Sequence, residues 1–157
     1  MKDTLIAKAI SFATNAHSGQ QDKGGQDYIL HPLRVMFTVR DQMWDEKTQA
    51  VAVLHDVIED CDINYDELVA NFGEEIADAV KAISRRFEPN KEVYTAYIKR
   101  IKKNPIARVV KIGDLFDNLQ PERIALLPVS EQGIVKRYKK ALRFLSASEA
   151  DEAAFEF

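Results

Sequence analysis

The sequence predicts an all-α fold, a single compact bundle of about seven or eight helices over residues 1–157. Three observations predict it. Apolar residues recur every three or four positions through most of the chain, the period of a helix with one buried face. No alternating pattern longer than a few residues suggests a strand. Gly and Pro total only six and five, and most punctuate the ends of the periodic segments.

Asp3 or Thr4 caps a first helix whose apolar positions, Leu5, Ile6, Ala9, Ile10, Phe12, Ala13 and Ala16, run to about His17. Residues 18–27 form a polar loop with three glycines, the least regular stretch and the kind that carries function. Pro32 suits the first turn of a second helix containing Leu33, Val35, Met36 and Val39. A third helix is expected from about Asp45 to Ile58. A fourth starts at Asp62 or Asn64 and ends at Phe72 with Gly73 as its cap. Glu74 to Ile83 is the fifth and Lys91 to Lys103 the sixth. A seventh follows Asn104-Pro105 and ends near Leu119, and Ser130 to Leu145 is the last. The acidic, aromatic-tipped residues 146–157 read as a tail that frays or docks on a partner.

Composition narrows the function. Hydrophobic residues make up 46% of the chain and charged residues 30%, enough apolar material for a real core. A formal charge of −3 argues against coating a nucleic acid through bulk charge. The basic stretches Lys99-Arg100, Lys102-Lys103, Lys136-Arg137 and Lys139-Lys140 read as solvated helix faces, so no nucleic-acid partner is expected. Cys61 is the only cysteine, which excludes an internal disulfide and a Cys-rich zinc site. No apolar run is long enough to span a bilayer, and no secretory signal is visible, so the expected location is the cytoplasm. A homo-oligomer is compatible with all of this.

Three segments concentrate unusual polar groups. In the first, His55 and Asp56 are followed by Glu59 and Asp60. On a helix His55 neighbours Glu59, and Asp56 neighbours both Glu59 and Asp60. Three carboxylates at a helix C-terminus repel one another and oppose the macrodipole, and a bound cation relieves both. The bland alternative is a solvated acidic helix end. In the second, Lys111, Asp114 and Asn118 follow the apolar run Ile106 to Val110. A carboxylate there is costly to bury unless paired or metal-bound, so an arginine ion pair is the alternative. Arg108 and Lys111, about a turn before Asp114, suit a phosphorylated small molecule. In the third, His31 precedes Pro32 after the Gly-rich loop. His17, closing the first helix, reads as structural.

His31, His55, Asp56 and Asp114 together form a two-nitrogen, two-carboxylate set. Such mixed ligation suits a divalent transition ion such as Mn²⁺, Fe²⁺ or Zn²⁺. Without thiolates, and with positions left for water, it has the character of a catalytic site. Glu59 and Asp60 would then orient or deprotonate that water.

These residues also carry a resemblance. The ordered stretches HSGQ, YILHPLRV, AVLHDVIED, FGEEIADAV and VVKIGDLFDN resemble the HD superfamily. In particular they resemble the hydrolase domain of bifunctional alarmone synthetase/hydrolases and their small single-domain relatives. The similarity runs from about residue 5 to 145. It implies an HD-type helical bundle binding one divalent metal, usually manganese, through His31, His55, Asp56 and Asp114, with Glu59 and Asp60 handling the attacking water. It implies that Asn118 helps hold the substrate and Lys23 its phosphates, beside Tyr28 and Lys111. The implied reaction removes pyrophosphate from the 3′ position of guanosine tetra- or pentaphosphate.

The sequence departs from the family pattern in the nucleotide pocket. Asp22 stands where the family has an arginine that packs on the base, and Asp27 where it has a proline. Leu115 and Asp117 replace an arginine and a histidine in the last motif, and Arg85 and Arg86 make a neighbouring loop more basic. Two other readings therefore stand beside the alarmone hydrolase: the same machinery acting on a different nucleotide, and a non-catalytic nucleotide-binding module.

Overall fold

The computed structural model describes residues 2–154. Ten α-helical segments and two short 3-10 turns make up its regular structure, and no strand forms among the described residues. The helical class stands, and each element follows from local signals. α1 (Leu5–Ala16) opens at Thr4, whose hydroxyl accepts from the amide of Ala7. The glycine-rich loop then leads to α2 (Leu30–Asp41), with Pro32 in its first turn. α3 (Glu46–Leu54) is capped by Asp45, which accepts from the amide and the hydroxyl of Thr48. α5 (Tyr65–Phe72) is capped by Asn64 and stops at Gly73, whose φ of +85° favours glycine. α6 is Glu74–Ile83 and α7 is Tyr94–Lys102. α8 (Pro105–Asn118) starts at the cap Asn104, and α10 is Gly133–Ser146.

Four expectations are corrected. The segment 45–58 is not one helix: a turn at His55 and Asp56 separates α3 from α4 (Val57–Asp60). The sixth helix begins at Tyr94 rather than Lys91, and the last begins at Gly133 after a 3-10 turn over Val129–Glu131. An extra short helix, α9 (Pro121–Ile124), lies in what reads as a connection. Beyond Ser146 the chain forms a 3-10 turn over Glu149–Ala154, and residues 155–157 lie outside the described part.

α3 is the axle of the fold. Ala50, Val51, Ala52, Val53 and Leu54 are all fully buried, because α1, α2, α6 and α8 pack around this helix. Continuous burial of that kind leaves no polar face, so the first polar groups beyond it, His55 and Asp56, are delivered straight into the interior. α2 and α8 run close together at Gly113, where an added Cβ would stand 3.3 Å from Cγ1 of Val35. That approach brings His31 and Asp114 to the same place. The basic stretch of α7 is largely engaged internally. Arg100 holds Glu92 and the carbonyls of Ala82 and Ser84, and Lys102 donates to the carbonyls of Phe144 and Ala147. Among the described residues, no helix is long and apolar enough to cross a membrane.

Candidate metal centre

Four ligand-type atoms converge where α2, the α3–α4 turn and α8 meet. Nε2 of His31 lies 3.1 Å from Oδ1 of Asp114 and 3.7 Å from Oδ2 of Asp56. Nε2 of His55 lies 3.0 Å from Oδ2 of Asp56 and 3.6 Å from Oδ1 of Asp114. The His31, His55 and Asp56 donor atoms fall within 4.8 Å of one another. His31, His55 and Asp114 are buried, and Asp56 nearly so. The turn explains why neighbours in sequence share the point: consecutive residues of a regular helix diverge by about 100°, whereas here both His55 and Asp56 face the cluster.

The outer nitrogens of both imidazoles are already engaged. Nδ1 of His55 lies 2.7 Å from the carbonyl of Ala52, so it carries the proton and donates. Nδ1 of His31 lies 2.6 Å from Oδ2 of Asp117 and donates in the same way. Each neutral ring then aims a lone pair from Nε2 at two carboxylate oxygens, and among the described residues Nε2 of His55 has no hydrogen-bond partner. Four acceptors facing one another across 3 to 4 Å, buried, are held together by a cation or by protons. Protons are the alternative occupant. Burial opposes charging the two imidazoles, but Asp114 and Asp117 outweigh it at His31, and Asp56 and Asp114 outweigh it at His55, so both pKa values are raised. Asp114 is shifted well below the ordinary carboxylate range: burial works against this, and the Lys111 ammonium and both imidazoles overcome it. The donor set, two imidazoles and two carboxylates with no thiolate, fits a divalent transition ion.

The remaining candidates fall around this cluster. Tyr28 donates to Oδ2 of Asp56 at 2.7 Å, and Asn118 donates to Oδ1 of Asp114 at 2.8 Å. Lys111 is buried, with its ammonium 2.7 Å from Oδ2 of Asp114. The basic partner of Asp114 is thus a lysine on its own helix, and a phosphate contact from Lys111 requires sharing that ammonium. Arg108 is turned away, donating to the carbonyls of Leu145 and Ala147. Lys23 lies on the loop and pairs with Glu131. Glu59, an exposed residue, accepts a hydrogen bond at its carboxylate from the backbone amide of Arg85. Crowding by protein raises its pKa to about 7, and the Asp56 charge adds to this against the Arg85 amide. Asp60, also accessible, is pushed up by desolvation and by Asp56. The Arg85 guanidinium is held by the carbonyl of Glu92. His17 packs against Tyr28 and contacts Gln20 and Cys61, away from the four ligand atoms.

Three participants are missing from the sequence reading. Asp117, seen there only as a departure, holds Nδ1 of His31 and is itself held by Arg34, which donates through Nε at 2.8 Å. Burial tends to raise the Asp117 pKa, but the His31 and Arg34 hydrogen bonds bring it down to about 2. Arg34 is legible in hindsight, three residues after His31 on one helix face. Arg123, from the four-residue α9, donates to Oδ1 of Asn118 at 3.0 Å and lies 3.5 Å from Asp117. No local pattern marks it.

Fold and site together define a class: an all-α domain with a buried pair of histidines and a pair of aspartates converging on one position. The chain belongs to the HD domain family, whose pattern it matches over residues 9–108. It is 34% identical over 143 residues to a probable guanosine-3′,5′-bis(diphosphate) 3′-pyrophosphohydrolase of Synechocystis, covering 86% of this chain and 19% of that protein. It is 32% identical over 120 residues to the Aquifex aeolicus enzyme of the same activity, covering 73% of this chain and 17% of that one. The chain therefore spans under a fifth of the length of these relatives. Among solved structures, a metazoan ortholog of SpoT that hydrolyses ppGpp superposes with a TM-score of 0.80 at 20% identity, covering 98% of this chain and 92% of that one. A Listeria monocytogenes protein, lmo0812, superposes with a TM-score of 0.62.

Proposed function

We propose that this chain is a metal-dependent phosphohydrolase, with guanosine 3′,5′-bis(diphosphate) as its substrate and GDP and pyrophosphate as its products. The observation that carries the reading is the buried convergence of His31, His55, Asp56 and Asp114, with an Nε2 of His55 that has no hydrogen-bond partner among the described residues. Relatives with that activity over most of this chain's length support the substrate.

His31, His55, Asp56 and Asp114 would hold one divalent ion, with Mn²⁺ the proposed metal. Such an ion supplies Lewis acidity and charge neutralisation at a phosphoryl centre. The chain's own groups do the rest. Hydrolysis needs a base for the proton of the attacking water, and Glu59, with a pKa near 7 and a fixed backbone donor from Arg85, is poised for it. Asp60, also accessible at the α4 end, orients that water. Tyr28 and Asn118 bridge the ligand carboxylates to an adjoining cavity of about 240 Å³, which Lys23 also lines. The nucleotide binds there, with Lys23 and Lys111 as its phosphate contacts.

The test is a panel of guanosine tetra- and pentaphosphate, GTP, ATP and deoxynucleoside triphosphates with Mn²⁺, scored for phosphate and pyrophosphate release. Pyrophosphate from the tetraphosphate is the expected result. Turnover of another nucleotide alone would move the chain to the second reading, for which Asp22 in the pocket wall speaks. No turnover on any substrate with metal bound would leave a binding module, a role for which Glu59 and Asp60 are not needed.

A further inference from the structure

Arg123 lines two cavities at once. The 240 Å³ cavity holds Tyr28, Asn118, Leu126, Leu127, Ile134 and Tyr138 on its other sides. The second, of about 460 Å³, is walled by Asp22, Asp117 and Glu122 as well as Arg34. Arg123 is shared by both walls, together with Asp22 and Leu126. Each of its three nitrogens faces a protein acceptor. One terminal nitrogen donates to Asn118 at 3.0 Å, Nε faces Asp117 at 3.5 Å, and the other terminal nitrogen faces Asp22 at 3.9 Å. All five N–H bonds of a guanidinium lie in its plane, so with protein acceptors facing all three nitrogens the flat face is the part most open to a ligand. The lining of the first cavity also includes the aliphatic Leu126, Leu127 and Ile134 and the Tyr138 ring. The second cavity, with three carboxylates against two guanidinium groups, is a poor place for a polyphosphate.

Asp22 helps to hold this arrangement. Its Oδ1 accepts from the amides of Gly24 and Gln26, closing the glycine-rich loop, while Oδ2 faces Arg123. The carboxylate is thus occupied by its own loop and by the arginine.

We propose that Arg123 is the base-stacking residue of the nucleotide pocket, its guanidinium face packing on a purine whose other side rests on Leu126, Leu127 and Ile134. The inference rests on the nucleotide reading given above and deepens it. Stacking on a cationic plane tolerates either purine, because every base has a π face, and a lysine does not reproduce it.

The experiment is calorimetric binding of GDP and of ADP to the whole chain with Mn²⁺, comparing wild type with Arg123→Ala and Arg123→Lys, each checked for an unchanged melting temperature and metal content. Both variants should weaken both diphosphates about tenfold or more, and by similar factors. Should Arg123→Ala fail to fold, the lysine variant decides alone. Wild-type affinity in either folded variant, a loss confined to one base, or no binding of either diphosphate to wild type overturns the assignment. Wild-type protein that binds both yet releases no pyrophosphate from the tetraphosphate defeats the hydrolase reading and leaves Arg123 in place.

Discussion

At the scale of single residues, two carboxylates only a few residues apart are driven in opposite directions. Asp56 lies between two imidazoles that hold its pKa below the ordinary range against burial. Glu59 has one backbone donor and no cation in contact, and its crowded surroundings raise it to about 7. One is suited to staying ionised as a ligand, the other to taking up and releasing a proton near neutrality. As a base Glu59 must be ionised, so turnover should fall about tenfold per pH unit below its pKa and level off above it. An ion seated beside it favours the carboxylate, so the inflection lies at or below about 7. Glu59→Gln should keep its metal, lose roughly 100-fold in kcat and lose that acid limb. Measured pH profiles that keep the limb in the variant would assign it to another group. Asp22 shows what sequence alone misreads at this scale. As a letter it is a lost cationic plane; in the fold it accepts two backbone amides and faces Arg123 from a distant element.

At the scale of elements, the site depends on how closely α2 approaches α8. Gly113 precedes Asp114 and lies against Val35, itself fully buried, so the helices meet without a side chain between them. Gly113→Val should force them apart. Overpacking costs about 1–3 kcal/mol, and the move separates His31 from Asp114, so both the melting temperature and the Mn²⁺ affinity should drop. A variant with wild-type metal affinity would show that the cluster tolerates the displacement. Most helices were legible because their caps are local: Thr4, Asp45, Asn64 and Asn104 each accept from an amide three residues ahead. The exceptions have non-local causes. The turn at His55 is hidden because 50–58 keeps an unbroken helical apolar pattern, and only the convergence with α2 and α8 shows why it turns. α9 is too short to present a period, so Arg123 went unseen with it. The four candidate ligand residues stood out as a set because acids and histidines in apolar stretches are conspicuous, and the fold brings them together. Their orientation was not, since it depends on Asp117 and on the Ala52 carbonyl.

At the scale of the whole molecule, the candidate ligand atoms come from three parts of the chain, and the residues beneath them are the core itself. Leu54, fully buried in the axle helix, immediately precedes His55, so building the core and assembling the site are one event. The unfolded chain scatters these candidate ligands and has no comparable site, so if the proposed ion binds there, its binding free energy is a folding free energy. An ion at a hundred times its Kd stabilises the folded state by about 2.7 kcal/mol. For a chain of this size that corresponds to a rise in Tm of roughly 5–10 °C. The sign with pH follows from competition: both imidazoles must be neutral at Nε2 to ligate, so acid favours the proton and the increment shrinks as pH falls. Thermal melts with and without Mn²⁺ should therefore show a shift at pH 8 that EDTA abolishes, that is smaller at pH 5.5, and that His55→Ala lacks. An equal shift in His55→Ala would place the ion elsewhere on the protein, and no shift in wild type would mean that the four acceptors are held together by protons alone.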